Sequence, residues 1–304
     1  MPAPATSIQP AKREDRAAFG IALMLMAYLM FSFIDTSVKW LAIAGIPALQ
    51  LSFMRYFGHF IISTTLVGRE ALNGGGLGGR QLGLVALRSL LLMLSTVLNF
   101  FALHYLPLTL TSTILFSAPI WVCVLSWPLL GERVGVWRWG AIMLGFVGIL
   151  FAVRPFDEGF HPAAIASVLS ALSFALYSIL TRRLAGEVST NMMQFFTGLV
   201  GVVALAPFAV WTWTNPETGA QWVLLFSLGF WGWAGHQLLT NAFRFATAST
   251  LSPYSYSFII YLTIWSYFLF DHLPDRWTIL GAIIITIAGL VIWARERAKP
   301  FNAQ

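Results

Sequence analysis

A chain of 304 residues that is 58% hydrophobic and only 10% charged cannot clothe itself in a water-facing surface, because a soluble domain carries roughly a quarter charged residues. The formal charge of +6 is dispersed over short segments, which argues against a nucleic-acid partner and for a membrane one. Cys123 is the single cysteine, so no disulfide framework is available.

Apolar runs of about 20 residues, enough to cross a hydrocarbon core roughly 30 Å thick, follow one another from Ala17 to Ala294. They lack two-residue alternation, which predicts helices and not barrel strands. The predicted spans are 17–41, 47–67, 81–103, 109–130, 138–154, 161–183, 192–213, 221–243, 250–270 and 277–294. Lys12, Arg13 and Arg16 precede the first, and Ala42-Ile43-Ala44 resembles a weak signal-cleavage site. The run is too long for a signal core, and Asp35 and Lys39 intervene, so it is read as an uncleaved helix. Turn and stop signals fill the breaks: Pro47, the glycine-rich 73–79 stretch, Pro107, Gly131-Glu132-Arg133, Arg154-Pro155, Arg182-Arg183, Asn215-Pro216 and Pro274.

With the N-terminus inside, thirteen basic residues fall on the cytoplasmic side (Lys12, Arg13, Arg16, Arg69, Arg80, Arg133, Arg138, Arg182, Arg183, Arg244, Arg295, Arg297, Lys299). Three fall outside: Lys39, Arg154 and Arg276. That asymmetry predicts an inner-membrane protein with both termini cytoplasmic. The chain also repeats itself. Ala102, Ser112, Ser117 and Ser126 match Ala242, Ser252, Ser257 and Ser266 at a spacing of 140, and Gly140-Ala141-Ile142 with Gly148 recurs as Gly281-Ala282-Ile283 with Gly289. Two halves of five spans must be inverted, since five is odd. The fold class is an all-α membrane protein of ten transmembrane helices in two inverted five-helix repeats. Residues 17–154 and 161–294 form the repeats, and 1–16 and 295–304 are cytoplasmic tails. Inverted repeats are the build of many secondary transporters, with the site near the midplane between halves.

The residues that carry a family resemblance are Arg55, Ala102-Leu103-His104-Tyr105-Leu106-Pro107, Ser117-Ala118-Pro119, Leu130-Gly131-Glu132-Arg133, Gly145-Phe146-Val147-Gly148 and Arg154-Pro155. The second half adds Thr181-Arg182-Arg183, Ala242-Phe243-Arg244, Pro253-Tyr254-Ser255-Tyr256 and Leu273-Pro274-Asp275. On these the chain resembles the drug/metabolite transporter superfamily in its EamA-type branch. Where relatives often carry a second Glu after the ninth span, this chain has Asp271-His272. The resemblance implies alternating access through a cavity lined by the first, third, fourth, sixth, eighth and ninth spans. It also implies cargoes such as amino-acid-, vitamin- or nucleoside-like solutes.

Ionisable residues inside spans are expensive and mark function or pairing. Asp35 and Arg55 are expected at similar depth on consecutive antiparallel helices, and are expected to pair. Lys39 is expected to snorkel outward, and Arg88 towards the cytoplasmic interface. Ser95 and Asn99 share a face of the third span, and the eighth offers His236 with Thr240, beside Gln237 and Asn241. Ser112 and Ser117 on the fourth span, and Tyr254 and Tyr256 around Pro253 on the ninth, complete a polar constellation. Packing glue is the plain alternative for such serines. Trp121, Tyr177, Trp231, Trp265 and Tyr267 lie deep enough to wall a pocket for a flat ligand or to face lipid. The binding or gating candidates are therefore Asp35, Arg55, Ser95, Asn99, Ser117, Tyr177, His236, Asn241, Tyr254 and Tyr256.

Gly74-Gly75-Gly76-Leu77-Gly78-Gly79 formally contains GxGxxG, but it lies between two spans instead of after a strand, so it reads as a loop. Glu132, Arg133 and Arg138 read as an interfacial charge cluster, or alternatively a gate. No catalytic constellation, metal set, phosphate loop or cofactor site is legible, and no enzyme is expected. A membrane-embedded enzyme or lipid-handling protein using His236 is the rival reading. The expected partners are a small-molecule substrate, the lipid bilayer and a second copy in a homodimer, with no nucleic acid.

Overall fold

The computed structural model describes residues 17–72, 77–130, 136–154, 160–184, 187–245 and 251–297. Glu132 and Arg133, most of the glycine-rich loop, the N-terminal tail and all but residues 295–297 of the C-terminal tail lie outside these residues. The first half holds α1 (Ala17–Ile43), α2 (Ala48–Leu72), α3 (Gly79–Tyr105), α4 (Leu108–Leu115), α5 (Ala118–Leu130) and α6 (Val136–Val153). The second holds α7 (Ala163–Leu184), α8 (Thr190–Trp211), α9 (Gly219–Phe245), a 3-10 turn (Ser252–Tyr256), α10 (Ser257–Phe270) and α11 (Arg276–Arg297).

The fourth and ninth spans are the interrupted ones. α4 stops at Leu115, because Pro119 has no N–H to give to the carbonyl four residues back; Pro119 instead sits in the first turn of α5, where that loss is harmless. Ser117 helps close the break by donating its hydroxyl to the Ile114 carbonyl at 2.6 Å. In the second half a 3-10 turn containing Pro253 leads into α10. Counting α4 with α5, and the turn with α10, gives ten spans in two sets of five.

Helix pairing follows the repeat. α1 packs along α9 and α7 along α3; α2 packs on both α8 and α9, and α3 on α8; α6 lies against α11. Exchanging the halves (α1 for α7, α2 for α8, α3 for α9, α6 for α11) maps α1–α9 onto α3–α7 and α2–α9 onto α3–α8, and α2–α8 and α6–α11 onto themselves. The halves are thus interleaved around one core rather than set side by side, with Val38, Leu41, Leu51, Phe100, Leu103, Leu225 and Leu262 among its buried side chains.

Close approach requires glycine at two crossings. A Cβ on Gly58 of α2 would lie 2.9 Å from the Gly229 Cα of α9. At the α6–α11 crossing a Cβ on Gly281 would lie 2.7 Å from the Gly148 carbonyl oxygen. Gly148 and Gly281 belong to the repeated glycine motif, so that motif marks where two backbones touch.

Five described helices are long and apolar enough to cross a membrane by themselves: Ala18–Ile43, Gly79–Tyr105, Ala163–Thr181, Thr190–Trp211 and Arg276–Ala294. α2 and α9 are not among them. The polar residues that lower their hydropathy include Arg55 and His59 in α2 and His236 and Gln237 in α9.

Candidate functional site

A cavity of about 190 Å³ opens at mid-depth between the halves. α1 contributes Tyr28, Phe31, Ile34 and Asp35, and α3 contributes Leu92, Ser95, Thr96, Asn99 and Phe100. α7 adds Ser170, Phe174 and Tyr177, α9 adds His236 and Leu239, and α2 reaches in with Arg55. The α4–α5 break (Leu115, Phe116, Ala118, Pro119) and the start of the ninth span (Ser255, Phe258) close the remaining wall. Six of the ten sequence candidates therefore share one cavity: Asp35, Arg55, Ser95, Asn99, Tyr177 and His236.

Its chemistry is a pair of opposite charges set in an aromatic box. The Asn99 amide donates to both Asp35 carboxylate oxygens, at 3.3 and 3.2 Å. Arg55 donates through Nη1 to the Thr96 hydroxyl and, at 3.3 Å, to the Tyr56 hydroxyl. Its guanidinium lies 5.3 Å from the Tyr56 ring centroid and 6.0 Å from that of Phe100, within cation–π range. The buried Arg55 Nε has no protein partner. Ser95 and Ser170 bind across α3 and α7: the hydroxyls lie 3.1 Å apart, and Ser170 donates to the Ser95 carbonyl at 2.7 Å.

The expected Asp35–Arg55 ion pair does not form among the described residues; each group is held by its own neutral partners. The cause is topological. α9 packs against both α1 and α2, so consecutive helices are not the close neighbours that the pairing required. A Cβ on Gly232 of α9 would touch Arg55 Nε at 3.4 Å and Ile34 at 3.8 Å, so α9 packs against α1 and α2 at once.

Arg88 does not reach the interface either. It is 2% exposed, with Nε on Thr181 at 2.8 Å and Nη1 on Thr197 at 2.9 Å and the Met193 carbonyl at 3.3 Å. Nη2 donates to the Tyr177 hydroxyl at 2.9 Å, and the guanidinium stands 4.5 Å from that ring's centroid. Three helices, α3, α7 and α8, thus meet on one side chain, which also sets the Tyr177 ring at the cavity wall. Lys39, half-buried, donates to the Leu103 and Leu106 carbonyls at 2.7 and 3.0 Å. Those carbonyls end α3, where orphan acceptors attract a cation.

His236 is buried against Phe31, the ring centroids 5.0 Å apart, and 6.2 Å from the centroid of His59. Nε2 of both histidines lacks a protein partner. The other candidates are not brought into the cavity. Ser117 is fully buried and serves the α4–α5 break while accepting the Trp121 indole N–H at 3.2 Å. Asn241 donates to the Gln237 carbonyl one turn back on α9, and Tyr254 is exposed. Tyr256 packs on Phe116 at 5.2 Å behind the wall. Of the deep aromatics only Tyr177 lines the cavity; Trp265 donates to Ser32 at 3.0 Å, Trp231 packs on Phe33 at 5.0 Å, and Tyr267 is exposed. Sequence reasoning missed Thr96, His59 and Ser170. The signal for Ser170 was present in the three-residue rhythm Ser167, Ser170, Ser173 on α7. Among the described residues no group of three or more His, Cys, Asp or Glu gathers into a metal-binding cluster.

Against this geometry, comparison with known proteins is specific. A model described as the EamA-like transporter family matches residues 18–154 and again 161–294. The S-adenosylmethionine uptake transporter of Rickettsia bellii (strain RML369-C) is 30% identical, over 92% of this chain and 96% of its own. The pseudopaline exporter CntI of Pseudomonas aeruginosa (strain UCBPP-PA14) is 27% identical, over 91% and 97%. The riboflavin transporter of Rhizobium johnstonii is 26% identical, over 95% of each. A solved crystal structure, 17% identical, superposes with a TM-score of 0.62 over 93% of this chain and 99% of that one, a likeness of fold alone.

Proposed function

This chain belongs to the EamA-like transporter family, and from that premise we propose that it is a secondary transporter working by alternating access through the cavity between its halves. The observation that carries the reading is that Asp35 and Arg55 face one cavity without pairing with each other. A buried charge is costly unless it is compensated, and a polar solute entering between them offers that compensation. The surrounding rings of Tyr28, Phe31, Phe116, Phe174 and Tyr177 suit a flat moiety. The cargo is a small organic metabolite with polar ends and an apolar or ring portion, of amino-acid, vitamin or nucleoside type. The relatives named for S-adenosylmethionine and riboflavin support this reading, since both solutes join a flat ring system to a polar chain.

The protein resides in the inner membrane with both ends cytoplasmic, by the positive-inside asymmetry of its loops. Residues 17–154 and 161–294 act as its two units. It performs no chemistry on the solute. Untargeted comparison of metabolites in cells lacking and overproducing the protein should reveal a solute whose distribution changes. Purified protein in liposomes should then carry that solute across unaltered. A solute chemically changed in the liposomes, or no flux of any solute so identified, overturns the reading.

A further inference from the structure

The pseudo-twofold relation between the halves is not exact, and one departure lies where α3 meets α1 and α2. α1 and α3 touch, joined at their ends by Lys39 donating to the Leu103 and Leu106 carbonyls. α2 also touches α3. The repeat-related pairs are α7 with α9 and α8 with α9; among the described residues neither makes more than marginal contact. The pairs α1–α9 and α3–α7, α2–α9 and α3–α8, and α5–α7 and α1–α10 do have their counterparts. Since the halves share one fold, the departure at α3 reflects conformation: the end where α1 and α2 meet α3 is drawn together while the equivalent end of α7, α8 and α9 stands apart.

The closed end is also where other polar ties cross between elements. His104 of α3 lies 2.9 Å from the Ile46 carbonyl in the α1–α2 turn. Gln50 of α2 donates to the Thr214 carbonyl at 2.9 Å and accepts its N–H at 2.8 Å. By the topology proposed above, this is the outer face.

We infer that Lys39 is the outer latch of the transport cycle. Its ammonium grips the C-terminal carbonyls of α3, which closes the outer mouth of the cavity in an inward-facing state. To open outward, α1 must release them. A cation at a helix C-terminus is well suited to a latch, because its attraction is confined to the last turn and is lost over a short displacement. This inference rests on the transporter reading for its meaning, but its test needs no flux.

The experiment uses the full chain with Cys123→Ser. Spin labels at Ile43→Cys and Tyr105→Cys, in lipid nanodiscs, report the separation of the α1 and α3 ends. A separate Leu115→Cys, in the cavity wall, reports reach of an impermeant cationic methanethiosulfonate added outside intact cells. The inference expects one short distance and slow labelling with Lys39 present. Lys39→Met should add a longer distance and speed labelling roughly tenfold, the scale of one charge–helix-end interaction. Lys39→Arg should restore both. Unchanged distance and labelling in a Lys39→Met protein that elutes and melts like the parent overturn the latch. So does equal disruption by Lys39→Arg. Should Lys39→Met fail to fold, a reductant-cleavable crosslink between Ile43→Cys and Tyr105→Cys decides with Lys39 in place. It should abolish labelling of Leu115→Cys from outside while leaving labelling in inverted vesicles, and persistence of outside labelling overturns the latch. A protein that passes these tests yet carries no solute would sink the transport reading alone.

Discussion

Replacing Arg88 tests whether a buried guanidinium here is a structural pin or an electrostatic burden. Its four hydrogen bonds join α3 to α7 and α8, and no carboxylate lies within ion-pair distance of it among the described residues. Hydrogen bonds inside membrane bundles average about 0.6 kcal/mol each, so four are worth roughly 2–3 kcal/mol. Against this stands the penalty of burying the charge, several kcal/mol before compensation. Arg88→Met removes both terms. Thr181 and Thr197 stay satisfied by their 2.8 Å bonds to the Tyr177 and Met193 carbonyls, which leaves mainly the Tyr177 hydroxyl without its donor, a cost of about 1 kcal/mol. Arg88→Lys keeps the charge but lacks the planar fork that reaches three helices at once. The nominally conservative change should therefore melt lower than the apolar one, by about 1 kcal/mol or more. Thermal unfolding of the three proteins in identical nanodiscs, followed by tryptophan fluorescence, measures it. A lysine variant as stable as the methionine variant refutes the reasoning, because it would mean that the charge itself carries no penalty at this site.

Asn99→Ala removes the donor to both Asp35 oxygens, and should lower transport of the identified solute at least tenfold, the effect of about 1.5–3 kcal/mol for a bond to a charged group; Tyr254→Phe, outside the cavity, should leave uptake intact. Gly229→Ala drives a Cβ into the Gly58 backbone and should destabilise by about 1–3 kcal/mol, whereas Gly219→Ala, with open space around it, should melt within error of wild type. Partial burial pushes the Asp275 carboxyl up, but bonds from the Thr278 hydroxyl and N–H, aided by Arg154 and His272, outweigh it and hold the group below the ordinary carboxylate value. Its stabilising contribution is therefore present above the unfolded value and lost as pH falls through the folded one; Asp275→Asn should flatten that acid limb, by no more than the ~0–1 kcal/mol of an exposed pair. Cysteines at Gly45 or Asn215 should react with an impermeant thiol reagent outside intact cells and a cysteine at Gln304 should not, and the reverse pattern would overturn the orientation.

Span positions, their inverted duplication and the polar faces of α3 and α9 were legible because each rests on spacing along one helix or on an offset between two. Ser95 and Asn99 share a face by helical geometry alone, and both reach the cavity. What spacing cannot carry is which helix lies beside which. The Asp35–Arg55 pairing failed on the assumption that consecutive spans adjoin, whereas the interleaving of the halves puts α9 against both α1 and α2. Arg88 was assigned to the interface for a related reason. Snorkelling wins only when no acceptors are nearer, and Thr181, Thr197 and Tyr177 become its neighbours only in the folded bundle. Tyr254 shows the opposite error: a polar residue beside a proline on a repeat-related span looks like a site, yet the 3-10 geometry of Ser252–Tyr256 turns Ser255 to the cavity and Tyr254 to the surface.

α2 and α9, which supply Arg55 and His236, are not among the described helices apolar enough to cross a membrane by themselves. A helix that carries such polar groups pays in hydropathy and needs shielding from lipid. α2 and α9 shield each other: Gly58 and Gly229 bring their backbones into contact, and Gly232 leaves room beside Arg55 for its side chain to turn towards the cavity. The glycines and the polar residues are thus one solution. A larger residue at Gly229 would hold the two helices apart and expose the flanks of Arg55 and His236 to hydrocarbon. Without those polar groups the close crossing would serve packing alone. The pattern Gly229, Gly232, Gly235 on α9, three residues apart and running up to His236, carries the position of the site as directly as the charged residues do.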